Sequence, residues 1–308
     1  MKRRELFRVE GVPVFQNKMF TTEEAALSCP KGDVVLVEDQ ETGLVFNEAF
    51  DPGQLSYDAD YQNEQAYSAV FQRHLDDVIA VISRHFHGKS LIEVGCGKGY
   101  FLERLRSAGY EATGIDPAYE GTSPYVIKAP LKPGLGLSAN GVVLRHVLEH
   151  IPDPVAFLSD IAHANGGKGR VYIEVPCFDW ICRHRAWFDV YYEHANYFRL
   201  ADFYRMFGTV HETGYLFAEQ YLYVVADLNT LRVPRCDERN PVQFPADLLV
   251  GIEHFCHQHR GRRTSIWGAA AKGMVFTSYM QRAGGEVGFV IDINPSKQGK
   301  SLLEVACA

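Results

Sequence analysis

The chain has 308 residues, a formal net charge of −7 and a pI near 5.9, which is length enough for one large or two modest domains with a buried core. Its acidic balance excludes a nucleic-acid binder resting on a dominant basic face, and no apolar stretch reaches membrane-spanning length. The start Met1-Lys2-Arg3-Arg4 runs into no signal-peptide core, and the seven cysteines, scattered without C-x-x-C pairs, read as reduced thiols of a cytoplasmic protein.

Residues 1 to about 65 are polar and turn-rich, with hairpin strands at Val34 to Val37 and Gly43 to Phe46, and read as a small β-rich module. Tyr57, Tyr61 and Tyr67 lead into an amphipathic helix from Ser68 to about His85, with Val70, Phe71, Leu75, Val78 and Ile79 on its inner side. Strands then fall at Leu91 to Val94, Ala112 to Ile115, Val142 to Leu144, Arg170 to Val175 and Tyr221 to Ala226. Helices alternate with them, notably Asp153 to Ala164 and Leu200 to Phe207. The alternation implies a parallel sheet with covering helices, a doubly wound α/β fold. After the Pro-rich stretch Val233 to Pro245, a helix runs to about Arg260. A second strand–glycine–helix unit follows at Ser265 to Gly273, with a strand at Val287 to Ile291. The expected divisions are residues 1–65, 66–232 and 233–308.

The most informative run is Leu91-Ile92-Glu93-Val94 followed by Gly95-Cys96-Gly97-Lys98-Gly99, with Phe101, Leu102 and Leu105 next at helical spacing. Glycines in a strand-to-helix turn accept positive φ and let a ligand approach the backbone. A dinucleotide enzyme wants G-x-G-x-x-G, with a pyrophosphate on the helix N-terminus. Here the spacing is G-x-G-x-G, and Glu93 would repel a pyrophosphate but suits an ammonium. Asp116 ends the next strand, where a carboxylate can accept both hydroxyls of a ribose. The segment resembles the first motif of class I S-adenosylmethionine (SAM) methyltransferases. The resemblance makes SAM the expected cofactor, held by Glu93, Gly95, Gly97, Gly99 and Asp116, on a Rossmann-like domain.

A more specific resemblance rests on Val12-Pro13-Val14-Phe15-Gln16-Asn17, Arg145-His146-Val147-Leu148-Glu149-His150-Ile151, Tyr191-Tyr192-Glu193-His194 and Trp267 to Gly273. With the order of small module, SAM domain and C-terminal Asp292-Ile293-Asn294-Pro295-Ser296-Lys297-Gln298-Gly299-Lys300, these resemble the sugar C-methyltransferases of deoxysugar biosynthesis. In that family two C-x-x-C pairs hold zinc in the N-terminal module. Here the first pair is absent, and Asp39 and Thr42 stand where the second would fall, so no metal is expected. The family's C-terminal domain is also fuller than residues 233–308, which read as a partial α/β unit.

The resemblance assigns substrate-facing roles to Glu193 and His194, the histidine removing a proton from carbon beside a ketone. Histidine suits that step, because neutral imidazole is available at pH 7. Glu193 would orient the ring or stabilise its cation, and a tyrosine hydroxyl, Tyr191 foremost, would hydrogen-bond the enolate. His150 is a second candidate, since its loop lies at the carboxyl ends of the strands, where ligands bind. Glu149 could cap the next helix, and Asn140-Gly141 occupies the place expected of an adenine-contacting acid. Lys272 could hold a phosphate at a helix N-terminus. The expected function is C-methylation of a small keto-sugar or related intermediate, one option being a nucleotide-linked sugar. O- or N-methylation and a non-catalytic SAM-binding protein are the alternatives. Neither nucleic acid nor membrane is an expected partner.

Overall fold

The computed structural model describes residues 2–16, 18, 20–55, 68–88, 90–295, 297–302 and 305–306. Asn17, Tyr57, Tyr61, Tyr67, Ser296 and Cys307 lie outside them. The chain opens with strand β1 (Arg3–Pro13), helix α1 (Glu23–Leu27), β2 (Lys31–Asp39) and β3 (Val45–Asn47), an antiparallel run. β1 is absent from the sequence expectation; its exposed charged positions mask an edge strand whose Val12 joins the core. Where the resembled family has its second cysteine pair, Asp39 Oδ1 accepts from the backbone of Glu41 (2.8 Å) and Thr42 (2.9 Å). Side-chain hydrogen bonds hold that turn.

Next come α2 (Ala69–His85), β4 (Ser90–Val94), α3 (Tyr100–Ser107), β5 (Glu111–Ile115), β6 (Val126–Ile127) and β7 (Gly141–Arg145). They are followed by α4 (Pro154–Ala164), β8 (Arg170–Pro176), α5 (Phe178–His184), β9 (Asn196–Tyr197) and α6 (Leu200–Met206), then β10 (Val210–Leu216) and β11 (Tyr221–Asp227). Ser68 caps α2 by accepting from Phe71 N. Val70, expected inside, is 54% exposed, and the buried stripe is His74, Leu75, Val78, Val81 and Ile82. A seven-stranded sheet runs β10-β11-β8-β7-β4-β5-β6. Its strand order reverses beside β4, between β5 and β7, the switch point where open α/β sheets bind ligands. The sheet is mixed rather than all parallel, because β11 pairs antiparallel with both β8 and β10.

Strand alternation sorts side chains to two cores. Ile92, Val94, Val142, Leu144 and Ile173 pack with Leu158, Ile161 and Phe203 from α4 and α6. Leu91, Val143 and Tyr172 face Leu75, Ile82, Phe101 and Leu105 from α2 and α3. Glu93, Arg145 and Glu174 share this second face by the same period, at the carboxyl ends of β4, β7 and β8.

The chain continues through α7 (Val250–Gln258), β12 (Arg263–Trp267), α8 (Ala271–Arg282), β13 (Glu286–Ile291), β14 (Ser301–Leu302) and β15 (Val305–Ala306). β12 and β13 pair in parallel. α8 buries Met274, Val275, Tyr279 and Met280 in a core shared with Val12, Val14 and Phe15 of the N-terminal module and Trp187 of the 187–189 turn. No helix among the described residues is long and apolar enough to cross a membrane.

Candidate active site at the carboxyl edge of the sheet

The turn after β4 places Gly95, Gly97 and Gly99 at φ of 73°, 54° and 81°. These are left-handed values that favour glycine. A Cβ at Gly95 would also stand 2.4 Å from Val147 Cγ2, whereas one at Gly97 would meet open space. The concave backbone therefore stays open toward a ligand. Asp116, half-buried at the end of β5, accepts from Gly97 N (2.8 Å) through Oδ2 and from Ala118 N (2.8 Å) through Oδ1. The acid thus fixes the loop, and its remaining lone pairs can still accept from a ligand.

Below the loop lies a buried polar layer. Glu93 is 4% exposed, and its Oε2 has no hydrogen-bond partner among the described residues. Burial pushes its carboxyl up to about 8, with Arg145 opposing and Asp116 adding to the rise. Glu174, wholly buried, accepts from Arg145 (2.9 Å) and Tyr172 (2.9 Å) and meets His74 Nε2 at 3.1 Å. Despite the cost of burial, Arg145 and the two histidines hold its carboxyl well below the usual range. His146 has a left-handed φ of 52°, which sets its ring between two acids. Its Nδ1 is 3.3 Å from Glu149 Oε1 and its Nε2 3.1 Å from Glu174 Oε1. Against desolvation, those contacts raise it to about 9, so it is an imidazolium at pH 7.

The third part is the segment between the 187–189 turn and β9. His194 is 3% exposed, its ring 4.1 Å from Tyr191 and 5.1 Å, edge-on, from His150. Its Nδ1 has no hydrogen-bond partner among the described residues. Burial, then the neighbouring His150, His146 and Lys272, hold its pKa well below the ordinary value, so it is neutral. His150 Nδ1 donates to the Glu193 carbonyl at 2.8 Å. Glu193 Oε1 accepts from Gln16 N (2.6 Å), tying this segment to the N-terminal module.

The structure thus gathers Tyr191, Glu193, His194 and His150 in one corner, and Glu93, Gly95, Gly97, Gly99 and Asp116 in the adjoining loop. Several expectations change. Asn140 lies at the amino end of β7, bonded to Ser90, at the opposite edge from the glycine loop. Asp153, not Glu149, caps α4 through Ala156 N, leaving Glu149 to His146. Lys272 bonds Asp189 (2.9 Å) and Gln220 (2.6 Å), so its charge is already matched. The layer of His74, Arg145, His146 and Glu174 was not legible as a unit. A sequence signal does exist in the i, i+3 pair His146 and Glu149.

The sheet order, the glycine turn and the acid ending β5 define a class I SAM-dependent methyltransferase domain. A model of the methyltransferase-domain family matches residues 64–215. The tRNA U34 carboxymethyltransferase of Dichelobacter nodosus is 27% identical over 208 residues, 58% of this chain. The chain spans about 62% of the length of that curated relative. Among solved structures, magnesium protoporphyrin IX methyltransferase of Synechocystis with bound S-adenosylhomocysteine (SAH) aligns at 18% identity and TM-score 0.39. It covers 51% of this chain and 82% of that one. A 1,6-didemethyltoxoflavin-N1-methyltransferase of Burkholderia thailandensis aligns at 14% identity and TM-score 0.40, covering 60% and 95%. The domain's cofactor is SAM, and the residues present fit it. The open glycine cradle admits its backbone contact, and an ammonium matches the buried Glu93, whose Oε2 has no hydrogen-bond partner among the described residues.

Proposed function

We propose that this chain transfers a methyl group to a carbon of a small keto-sugar-type intermediate, with His194 as the base. SAM supplies an electrophilic methyl group on its sulfonium. Asp116 would bind the ribose hydroxyls, Glu93 the ammonium, and the Gly95–Gly99 turn the space between. A C–H bond is no nucleophile until an enolate forms, so a base must act in the acceptor corner. The observation that carries this reading is His194, a buried, neutral imidazole whose Nδ1 has no hydrogen-bond partner among the described residues and which stands against Tyr191 and His150. Taking the proton turns the ring into a cation beside the Glu149 carboxylate. Tyr191 is the proposed hydrogen-bond donor to the enolate oxygen, and Glu193 holds the segment rather than the ring.

The likeness to a tRNA-modifying enzyme suggests a nucleic-acid acceptor, but the net charge of −7 supplies no broad basic surface. The test is His194→Ala. Turnover should fall about 10²–10⁴-fold, the range for a general base, while SAM affinity is unchanged. Substrate-carbon exchange with deuterated water should stop as well. Methylation by the wild type without an exchangeable carbon proton would select O- or N-transfer. SAM binding with no SAH release on any pathway sugar would point to a non-catalytic protein.

A further inference from the structure

Strand register sets two acids against one guanidinium in the buried layer below the glycine loop. Arg145 on β7 stands directly opposite Glu174 on β8. Glu93 on β4 is registered with Val143, which makes Arg145 its diagonal neighbour on the same face of the sheet. A side chain as long as arginine reaches across that diagonal, about 7–8 Å between Cα atoms. Glu174 holds it instead, accepting a hydrogen bond of 2.9 Å from Nη2. The guanidinium also lies over the Phe101 ring of α3, 4.5 Å from its centroid. Arg145 Nε is thus a buried donor and Glu93 Oε2 a buried acceptor, and neither has a hydrogen-bond partner among the described residues. Such a pair left unjoined needs a reason, because each group bears its desolvation cost alone.

We propose that Glu174 is a positioning residue for the cofactor: it holds the Arg145 guanidinium away from Glu93, so that Glu93 stays open to the ammonium of SAM. The inference rests on the pairing of Glu93 with that ammonium proposed above, and adds what keeps the acid available. Glu174 is equipped for the task. Besides Arg145 it accepts from Tyr172 (2.9 Å) and meets His74 Nε2 and His146 Nε2, each at 3.1 Å, so β8, α2 and the β7 loop all anchor it. His146 in turn is shared with Glu149. These partners keep Glu174 ionised. Glu93 has only Arg145 along the diagonal to set against burial and the Asp116 carboxylate from β5, and it stays protonated at pH 7. The nearby Cys96 thiol, pushed up to about 12, and the Tyr221 phenol near Glu174, raised by burial, are neutral there. A guanidinium bound to Glu93 would have to be displaced by the ammonium. A protonated carboxyl has only to give its proton to solvent, and the carboxylate then takes the ammonium. One buried cation serves one acid, and the other acid waits for the cation that arrives with the cofactor.

Calorimetry of SAM binding to the full chain at pH 7, in buffers of different ionisation enthalpy, tests this. Glu174→Gln frees Arg145, which should turn to Glu93 and ionise it before the cofactor arrives. SAM affinity should then fall about 10–100-fold, the worth of a hydrogen-bonded charge pair, and the proton released by the wild type should all but vanish. Glu174→Gln combined with Arg145→Met removes the competing cation as well. It should bring affinity back to within about threefold of the wild type and restore the proton release. A merely structural role for Glu174 gives no such recovery, because two losses of packing accumulate. Wild-type affinity and proton release in Glu174→Gln overturn the proposal, as does a double variant that binds as weakly as the single one. If Glu174→Gln does not fold, the double variant decides alone, since it leaves neither charge of the pair buried without its partner. Binding more than about tenfold weaker than the wild type would then overturn the proposal. A wild type that releases no proton fails one step earlier, at the pairing of Glu93 with the ammonium, and takes this proposal with it. The assignment of methyl transfer is independent of both.

Discussion

Glu93 offers the sharpest quantitative test, because burial pushes its carboxyl to about 8 while the proposed ligand group is a cation. At pH 7 a carboxyl with that pKa is about nine-tenths protonated. An ammonium docked against it favours the ionised form, so SAM binding should release about 0.9 proton at pH 7 and nearly one at pH 6.5. Over this range the α-amino group, with its ordinary pKa of about 7.7–8.0, is itself largely cationic. The association constant should therefore climb almost tenfold per pH unit between about 5.5 and 7, equivalent to about 1.4 kcal/mol per unit. Calorimetry in buffers of different ionisation enthalpy counts the proton directly. Glu93→Gln should remove both the release and the slope. The same residue makes a prediction for the cofactor-free protein. The folded state keeps the proton to about 8, while the unfolded chain loses it near 4.5. Stability should fall as pH rises through that window, and Glu93→Gln should flatten the fall. A wild type that binds SAM with no proton release at pH 7 refutes the pairing of Glu93 with the ammonium.

Asp116→Ala should weaken SAM binding by about 1–3 kcal/mol, since a charged acceptor of hydrogen bonds is lost; unchanged affinity by calorimetry removes Asp116 from the site. Gly95→Ala adds a Cβ 2.4 Å from Val147 Cγ2 at a φ of 73°. It should lose SAM binding and at least about 1–2 kcal/mol of stability, read from urea denaturation; a variant with wild-type affinity and stability shows that the loop relaxes freely. Elemental analysis after dialysis should find no stoichiometric zinc in the N-terminal module, where Asp39 closes the turn by hydrogen bonds; about one zinc per chain would contradict it.

What the sequence disclosed follows from how local each signal is. The Leu91 to Gly99 run carries strand, turn and helix cues within a few residues, and β4, the left-handed glycines and α3 fall where they should. Ser68 and Asp153 announce α2 and α4 by side-chain caps that any reader of the chain can find. β10 gives no such notice. Val210-His211-Glu212-Thr213-Gly214 is too polar to read as a strand, and only its pairing with the apolar β11 makes it one. Glu149 illustrates the harder failure. Its proximity to Asp153 suggested a cap, whereas its position is decided by the left-handed turn at His146 and by a segment more than forty residues further on. Which acid faces which histidine depends on the register of β7 against β8, and no spacing along the chain encodes that.

The core that Val12, Val14 and Phe15 share with Met274, Val275 and Tyr279 bears on biosynthesis. These partners lie more than two hundred and fifty positions apart, so a ribosome exposes the first group long before it makes the second. The glycine loop, β4 and β7 contact their own neighbours early and can consolidate while translation proceeds. The opening segment must wait with part of its apolar surface uncovered, and the outer edge of β1 is at risk of pairing with another nascent chain. Emergence of α8 ends that exposure. Slow synthesis between about residue 230 and α8 should therefore lower the soluble yield more than an equal pause inside the sheet, because it prolongs the interval in which this core lacks the side chains that α8 supplies.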